Sequence, residues 1–288
     1  MKYRILGRTN LEVSVIGFGG IMLNNKKQNE ANQIVKDAIE SGINIFDVGP
    51  TYGDAQKKMG PAIKSFRNDV VLTCKTEPDN TKDEVKTDLE NSLEVLGTDY
   101  FDVYQLHEVT NQKDLNQALG HGGALEAIVE AKKKGLVNFI GFSAHSEWAA
   151  IKLMNSFDFD TVMFPINWNY WFNKNQGPKL IEKAQETNKG ILAIKSLAQR
   201  RWHQNEDKQN YNTWYKPIFD NDELAQLALR FTLSQDIDTA ISPGDIRMLN
   251  KGLNIFEQNK DNLELTKREL IKLKGFIDEH GGQLYPIP

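Results

Sequence analysis

Four polar residues stand where apolar runs of the sequence give way to turns. Asp47 closes the run Ile43-Asn44-Ile45-Phe46, and Tyr52 follows across Gly49-Pro50. Lys75 follows Val70-Val71-Leu72-Thr73-Cys74 directly, and His107 follows the run from Phe101 to Leu106. A carboxylate that ends a buried strand is expensive to desolvate unless a cation pairs with it. A lysine ammonium beside a phenol in a low-dielectric pocket lowers the phenol from its reference of about 10. A nearby histidine can orient or polarise a carbonyl by hydrogen bonding. Singly, each of these residues reads as a solvated strand end. Jointly, Asp47, Tyr52, Lys75 and His107 describe a phenol tuned to protonate a carbonyl oxygen near neutral pH.

Such a set needs consecutive strand ends on one rim. The sequence alternates apolar strand-like runs with helical periodicity throughout. Strands are expected at 15–19, 43–46, 70–74, 101–106, 137–142, 160–164, 190–194 and 237–241. Helices are expected near 29–40, 55–66, 81–96, 123–134, 146–155, 177–188, 221–234 and 245–253, with a further one at 264–279. Roughly eight βα units close a barrel, whose catalytic groups come from the C-terminal strand ends. Gly7-Arg8-Thr9-Asn10 joins two short extended runs, a hairpin placed before the main fold. The expected fold is therefore an α/β (β/α)8 TIM barrel with an N-terminal β-hairpin and an extra C-terminal helix, one domain over 1–288. A doubly wound sheet would carry G-x-G-x-x-G after its first strand; only Gly17-Phe18-Gly19-Gly20 occurs, followed by Ile21 and Met22. The longest connection, 196–219, is rich in Arg, Trp, Tyr and Asn and is expected to be a functional lid or insertion.

The composition fits one large domain: 288 residues, 40% hydrophobic and 26% charged. A formal net charge of -4 gives no electrostatic case for nucleic acid. Cys74 is the one cysteine, which excludes an internal disulfide and fits a reducing compartment. No apolar stretch approaches the roughly 18 residues of a membrane span, and the first residues lack a signal-peptide core. A cytoplasmic, non-membrane protein is expected, its oligomeric state open. No metal-ligand spacing is present.

The residues quoted above resemble the aldo-keto reductase family, in a divergent bacterial form, over the whole length. The opening Lys2-Tyr-Arg-Ile-Leu-Gly-Arg-Thr-Asn-Leu-Glu-Val-Ser-Val-Ile-Gly-Phe-Gly is similar to the family's hairpin and first strand. Asn44-Ile-Phe-Asp47-Val-Gly-Pro-Thr-Tyr52-Gly53 matches its Asp-and-Tyr motif, and Lys75 and His107 complete its tetrad. The resemblance implies an extended NAD(P)H across the barrel mouth. It implies Tyr52 as general acid, Lys75 and Asp47 as its tuning pair, and His107 as the carbonyl-orienting group.

Ser242-Pro243-Gly244-Asp245-Ile246-Arg247 opens a helix after the last strand, where free N–H groups face an anion. In the family this segment grips the adenosine phosphate. A basic residue at Arg247 favours NADP(H) over NAD(H), a preference that Asp245 weakens, and Asn254 matches a position near the adenine. The implied cofactor wall also takes in Gly20, Ile21, Met22, Ser143, Asn167, Lys195, Ser196, Leu197 and Gln199. Three positions depart from the usual pattern: Ala144 replaces an Asn, Met163 a Gln, and Lys195 a Tyr that stacks on the nicotinamide. Aromatic and basic residues near the rim, Trp168, Trp171, Trp202, His145 and Arg200, are candidates to read the substrate. The reading is an NADP-dependent oxidoreductase acting on an aldehyde, ketone or sugar carbonyl, or on the alcohol in reverse. The rivals are a cofactor-binding regulatory subunit of the same fold, as in the potassium-channel beta subunits, and a barrel lyase or isomerase without nicotinamide.

Overall fold

Two short antiparallel strands, β1 (Tyr3–Ile5) and β2 (Glu12–Ser14), precede a closed barrel in the computed structural model, which describes residues 1–208 and 210–284. Within the expected 1–288 domain, Gln209 and residues 285–288 lie outside the described residues. The barrel strands are β3 (Ile16–Gly19), β4 (Ile45–Asp47), β5 (Val71–Thr76), β6 (Phe101–Val109), β7 (Val137–Ala144), β8 (Thr161–Pro165), β9 (Gly190–Ile194) and β12 (Thr239–Ile241). They run parallel in chain order, and β12 closes between β9 and β3. Strands β10 (Ala198–Arg201) and β11 (Tyr215–Pro217) form a separate antiparallel pair inside the long connection, where a lid or insertion was expected.

Outside the barrel lie α1 (Gln28–Glu40), α2 (Ala55–Ile63), α3 (Lys82–Leu96), α4 (Gln112–Leu119), α5 (Ala124–Lys133), α6 (Glu147–Ser156), α7 (Trp168–Lys174), α8 (Pro178–Glu186), α9 (Asp222–Leu233), α10 (Ile246–Asn259) and α11 (Lys267–His280). Local sequence sets their ends. In α1, Ala31, Ile34, Val35 and Ala38 make one buried stripe at helical spacing. Thr81 and Glu84 form a capping box that starts α3, and Gly97 stops it at φ 64°. Helices α4 and α7 were not expected. Each is short and is started by an asparagine cap, Asn111 and Asn167, whose side chains accept from backbone N–H groups.

The barrel interior is filled by Ile45, Val71, Val103, Met163, Leu192 and Ile241, with Leu6 and Val13 of the hairpin segment packed against them. Burying side chains of this size contributes about 1.5–3 kcal/mol each. Leu6 and Val13 thus plug the N-terminal end and leave the C-terminal end for chemistry. The docking is tight: a Cβ on Gly7 (φ +47°) would lie 2.2 Å from the Gly190 nitrogen at the start of β9. Among the described residues, no helix is long and apolar enough to cross a membrane.

Candidate active site

Strand alternation carries the polar residues to the open rim. Side chains two apart on a strand share a face, so Asp47 stands one layer above Ile45, Thr73 and Lys75 above Val71, and His107 two layers above Val103. In register, Asp47 pairs with Thr73 and Lys75 with Gln105. The rim groups line a cavity of ≈ 570 Å³ together with Ser143, Met163, Lys195 and Ser242.

Within it, Lys75 Nζ donates to both carboxylate oxygens of Asp47 at 2.8 Å, and Thr73 Oγ1 donates to Oδ1 at 2.7 Å. Met163 Sδ is 3.5 Å from the same ammonium. Asp47 and Lys75 are both buried. Desolvation is the largest single influence on Lys75 and disfavours its charge, but Asp47 and Tyr52 together outweigh it and hold the ammonium above its usual range. Lys75 Nζ lies 5.5 Å from the centre of the Tyr52 ring. The Tyr52 phenol is nevertheless pushed up to about 12, because burial outweighs the pull of Lys75, and Asp47 adds to the rise. The expectation of a lowered phenol is therefore corrected for this structure. Asp47, held against the same ammonium, offsets part of the lowering that Lys75 exerts on the ring.

His107 meets Tyr52 edge-on, ring centres 6.3 Å apart. Its Nδ1 is 2.7 Å from Glu77 Oε1, so the carboxylate accepts from that nitrogen and fixes the ring. A second array adjoins this one. Lys195 Nζ is 2.7 Å from His145 Nε2, and His145 Nδ1 is 3.0 Å from Glu108 Oε1. His145 is held down at about 4, by burial and by Lys195, while its hydrogen bond holds Glu108 at about 2. Desolvation lowers Lys195 to about 8. Ser143 Oγ accepts from the Glu108 backbone N–H at 2.7 Å.

The cavity continues past Ser242–Gly244 into a second cleft of ≈ 480 Å³, lined in part by Met22, Lys26, Lys208, Tyr211 and Asp245. Gly244 is pressed between walls: a Cβ there would lie 2.2 Å from Ile21 Cγ2 and 2.9 Å from the Asn212 carbonyl. The loop between β10 and β11 closes over this junction. Asn212 Nδ2 donates to the Ile21 carbonyl at 3.0 Å, and the Trp214 ring stands 5.7 Å from that of Tyr52. The two clefts share Gly244 in their walls, and Lys26 and Lys208 line the far one.

Other expected site residues lie elsewhere. Trp168 is fully buried in the core and Trp171 packs edge-on against Phe231; neither lines the cavity. Arg200 is tied to Glu206 by two hydrogen bonds, at 2.7 and 2.9 Å, and its neighbour Arg201 lines the cavity instead. Trp202 donates to the Thr213 carbonyl at 3.0 Å, shaping the loop from behind. Asn167 caps α7 and donates to the carbonyls of Lys195 and Ala198 at 2.8 and 2.9 Å, a support and not a lining residue. Ser196, Leu197 and Gln199 are buried behind the wall, as is Gly20, while Asn254 is exposed on α10. Arg247 grips Asp245 through Nε at 2.9 Å and Nη2 at 2.8 Å and lies 3.7 Å from the centre of the Tyr211 ring. Glu77, Glu108 and Thr73 were not singled out in the sequence, though each lies within two residues of one that was, whereas Arg201 was weighed there with Arg200 as a contact for an anionic substrate or the cofactor pyrophosphate.

A model described as the aldo/keto reductase family matches residues 15–264. The "Uncharacterized oxidoreductase YqkF" of Bacillus subtilis (strain 168) is 32% identical over 157 residues, 50% of this chain and 49% of that protein. The chain thus spans about half the length of the first curated relatives it matches. D-arabinose 1-dehydrogenase of Saccharomyces cerevisiae is 26% identical over 310 residues, covering 94% of this chain and 88% of the yeast protein. An aldo-keto reductase from Klebsiella pneumoniae, solved in complex with NADPH, superposes with a TM-score of 0.71 at 20% identity, covering 96% of this chain and 95% of the other. That likeness concerns the fold. With the family model matching most of its length, the chain belongs to the aldo/keto reductase family.

Proposed function

We propose that this chain is an NADP(H)-dependent oxidoreductase that reduces an aldehyde, ketone or sugar carbonyl, or oxidises the corresponding alcohol. The observation that carries the reading is the Tyr52 phenol, buried beside the Lys75–Asp47 pair and facing His107 across one cavity. When bound, the dinucleotide supplies the hydride in reduction. The chain supplies the proton: the Tyr52 O–H donates to the carbonyl oxygen as negative charge develops there, and Lys75 stabilises the phenolate left behind. His107, its Nδ1 held by Glu77, donates from Nε2 to the same oxygen when that nitrogen carries a proton. Trp214, its ring 5.7 Å from that of Tyr52, and the loop bearing it would partly shield the reacting atoms from water.

Ser143, Lys195, Ser242, Gly244 and Ile21 would flank the nicotinamide and pyrophosphate portions, and Lys26 and Lys208 the phosphate of the adenosine end, with Arg247 behind them against Tyr211. NADP(H) is favoured over NAD(H) on that basic end. The yeast D-arabinose dehydrogenase among the relatives makes aldoses the first sugars to try. The test is titration of the protein with NADPH and, separately, NADH, followed by tryptophan emission, with Tyr52→Phe as control. Tight NADPH binding retained in the variant, with carbonyl turnover lost, is expected. Failure of both cofactors to bind would remove the reading.

A further inference from the structure

Tyr215, the first residue of β11, puts a second phenol on the cavity wall, and the proton donation above does not use it. Only 7% of the residue is exposed, and its ring packs with Tyr170, Ala198 and Leu284. A phenol this deeply buried ordinarily spends its O–H on a protein acceptor. Among the described residues, the Tyr215 hydroxyl has none. Burial pushes this phenol up, and Tyr52 adds to the rise, so Tyr215 carries its proton across the neutral range. Its backbone is held in place. Thr213 Oγ1 donates to the Tyr215 carbonyl at 2.7 Å. Arg201 stands directly opposite in the antiparallel register, and its N–H donates to the Gln283 carbonyl at 2.7 Å. Residues directly opposite in such a pair project to one face, and Arg201 and Tyr215 both reach the cavity.

We propose that Tyr215 reads the substrate, donating its O–H to a hydroxyl oxygen of a hydroxylated carbonyl compound whose carbonyl lies at Tyr52. This rests on the oxidoreductase reading for the carbonyl end, while the hydroxyl contact stands on its own geometry. The other polar groups of the wall decide what the second oxygen is. Glu77 and Glu108 line the same cavity as Arg201, so the wall offers both acceptors and donors. A carboxylate on the substrate has only acceptor atoms and would meet two carboxylates of the protein. A hydroxyl both donates and accepts, so it can satisfy Tyr215 on one side and a carboxylate on the other. A plain alkyl chain would leave the Tyr215 hydroxyl desolvated without a partner, which costs affinity.

The experiment compares glyceraldehyde with propanal, which share a carbon chain of the same length, in wild type, Tyr215→Phe and Tyr215→His. The ratio of their kcat/KM values cancels any loss common to both substrates. The wild-type ratio is expected to favour glyceraldehyde, and Tyr215→Phe to lower it by about three- to tenfold, the usual effect of losing one neutral hydrogen bond. Tyr215→His, which keeps a donor, should restore part of the preference. The second readout needs no turnover. Glycerol and propan-1-ol, the corresponding alcohols, are titrated into the cofactor-free protein with its tyrosines carbon-13 labelled at the hydroxyl-bearing ring carbon. The signal that disappears in Tyr215→Phe should move with glycerol and stay with propan-1-ol. An unchanged ratio in Tyr215→Phe with no movement of that signal would overturn the inference and leave the oxidoreductase reading standing. A moving signal without turnover of any carbonyl would keep the hydroxyl contact and remove that reading.

Discussion

Lys75 Nζ sits 2.8 Å from each carboxylate oxygen of Asp47, both groups shut off from solvent, with Thr73 Oγ1 completing the carboxylate's coordination. Such a pair is stable only while both partners remain. Asp47→Asn should therefore cost roughly 3–5 kcal/mol, because it strands a buried ammonium. Adding Lys75→Met to that background removes the stranded charge and should recover a large part of the loss. Chemical denaturation of the two single variants and the double variant checks this. Equal, additive losses would mean that the two groups do not act as a pair.

Tyr52 gives a prediction with a direction in pH. Its phenol is pushed up to about 12 by burial, so it stays protonated across the neutral range. Carbonyl reduction, which needs the phenol, should show no loss from Tyr52 between about pH 6 and 9. Alcohol oxidation needs the phenolate, whose population grows roughly tenfold per pH unit below the pKa. The kcat for oxidation should therefore climb with pH while that for reduction does not. Tyr52→Phe should lower both by about 10²–10⁴-fold. An oxidation rate that levels off near pH 7 would show that the bound state lowers the phenol far more than the protein does alone.

The rim was legible in the sequence for a geometric reason. Asp47, Lys75 and His107 keep the same parity as Ile45, Val71 and Val103, so the pattern that fills the barrel also aims the chemistry. Lys195 breaks that parity through a backbone turn that no residue type announces. The aromatic residues were misjudged in a different way. Trp168 and Trp214 look alike as letters, yet Trp168 is fully buried and Trp214 faces Tyr52. Only the path of the loop between β10 and β11 separates them. Arg200 and Arg201 differ likewise, because Glu206 captures the first. Glu77 and Glu108 were readable in principle, two residues after Lys75 and one after His107, but a surface acid is the commoner meaning of such a letter.

On the proposed reading, Arg247 and Asp245 together would set the cofactor preference. The acid caps α10, accepting from the Arg247 backbone N–H at 2.9 Å, and also grips the Arg247 side chain. A phosphate arriving here meets a guanidinium already paired and a carboxylate that repels it. Asp245→Asn keeps a competent cap and lifts both handicaps. NADPH should bind about three- to fivefold more tightly to the variant, with NADH changing less. Fluorescence titration with both cofactors reads this. Equal gains for the two would place the effect at the shared pyrophosphate.

Asn212 supplies the remaining prediction. Its side-chain amide donates to the Ile21 carbonyl at 3.0 Å and so fastens the β10–β11 loop across the junction of the two clefts. Trp202, donating to the Thr213 carbonyl, stiffens the segment that carries Trp214. A net hydrogen bond is worth about 0.5–1.5 kcal/mol, so Asn212→Ala should shift loop opening by about two- to tenfold. Loops that close over a ligand commonly set its release rate. Dissociation of NADPH, followed by stopped-flow chasing with excess NADP, should accelerate by that factor. Where release limits turnover, kcat should rise with it, while single-turnover hydride transfer stays near the wild-type rate because Tyr52, Lys75 and His107 keep their supports. An unchanged dissociation rate would mean that the loop is held by its strand pairing and the Trp214–Tyr52 contact, and that Asn212 is incidental to it.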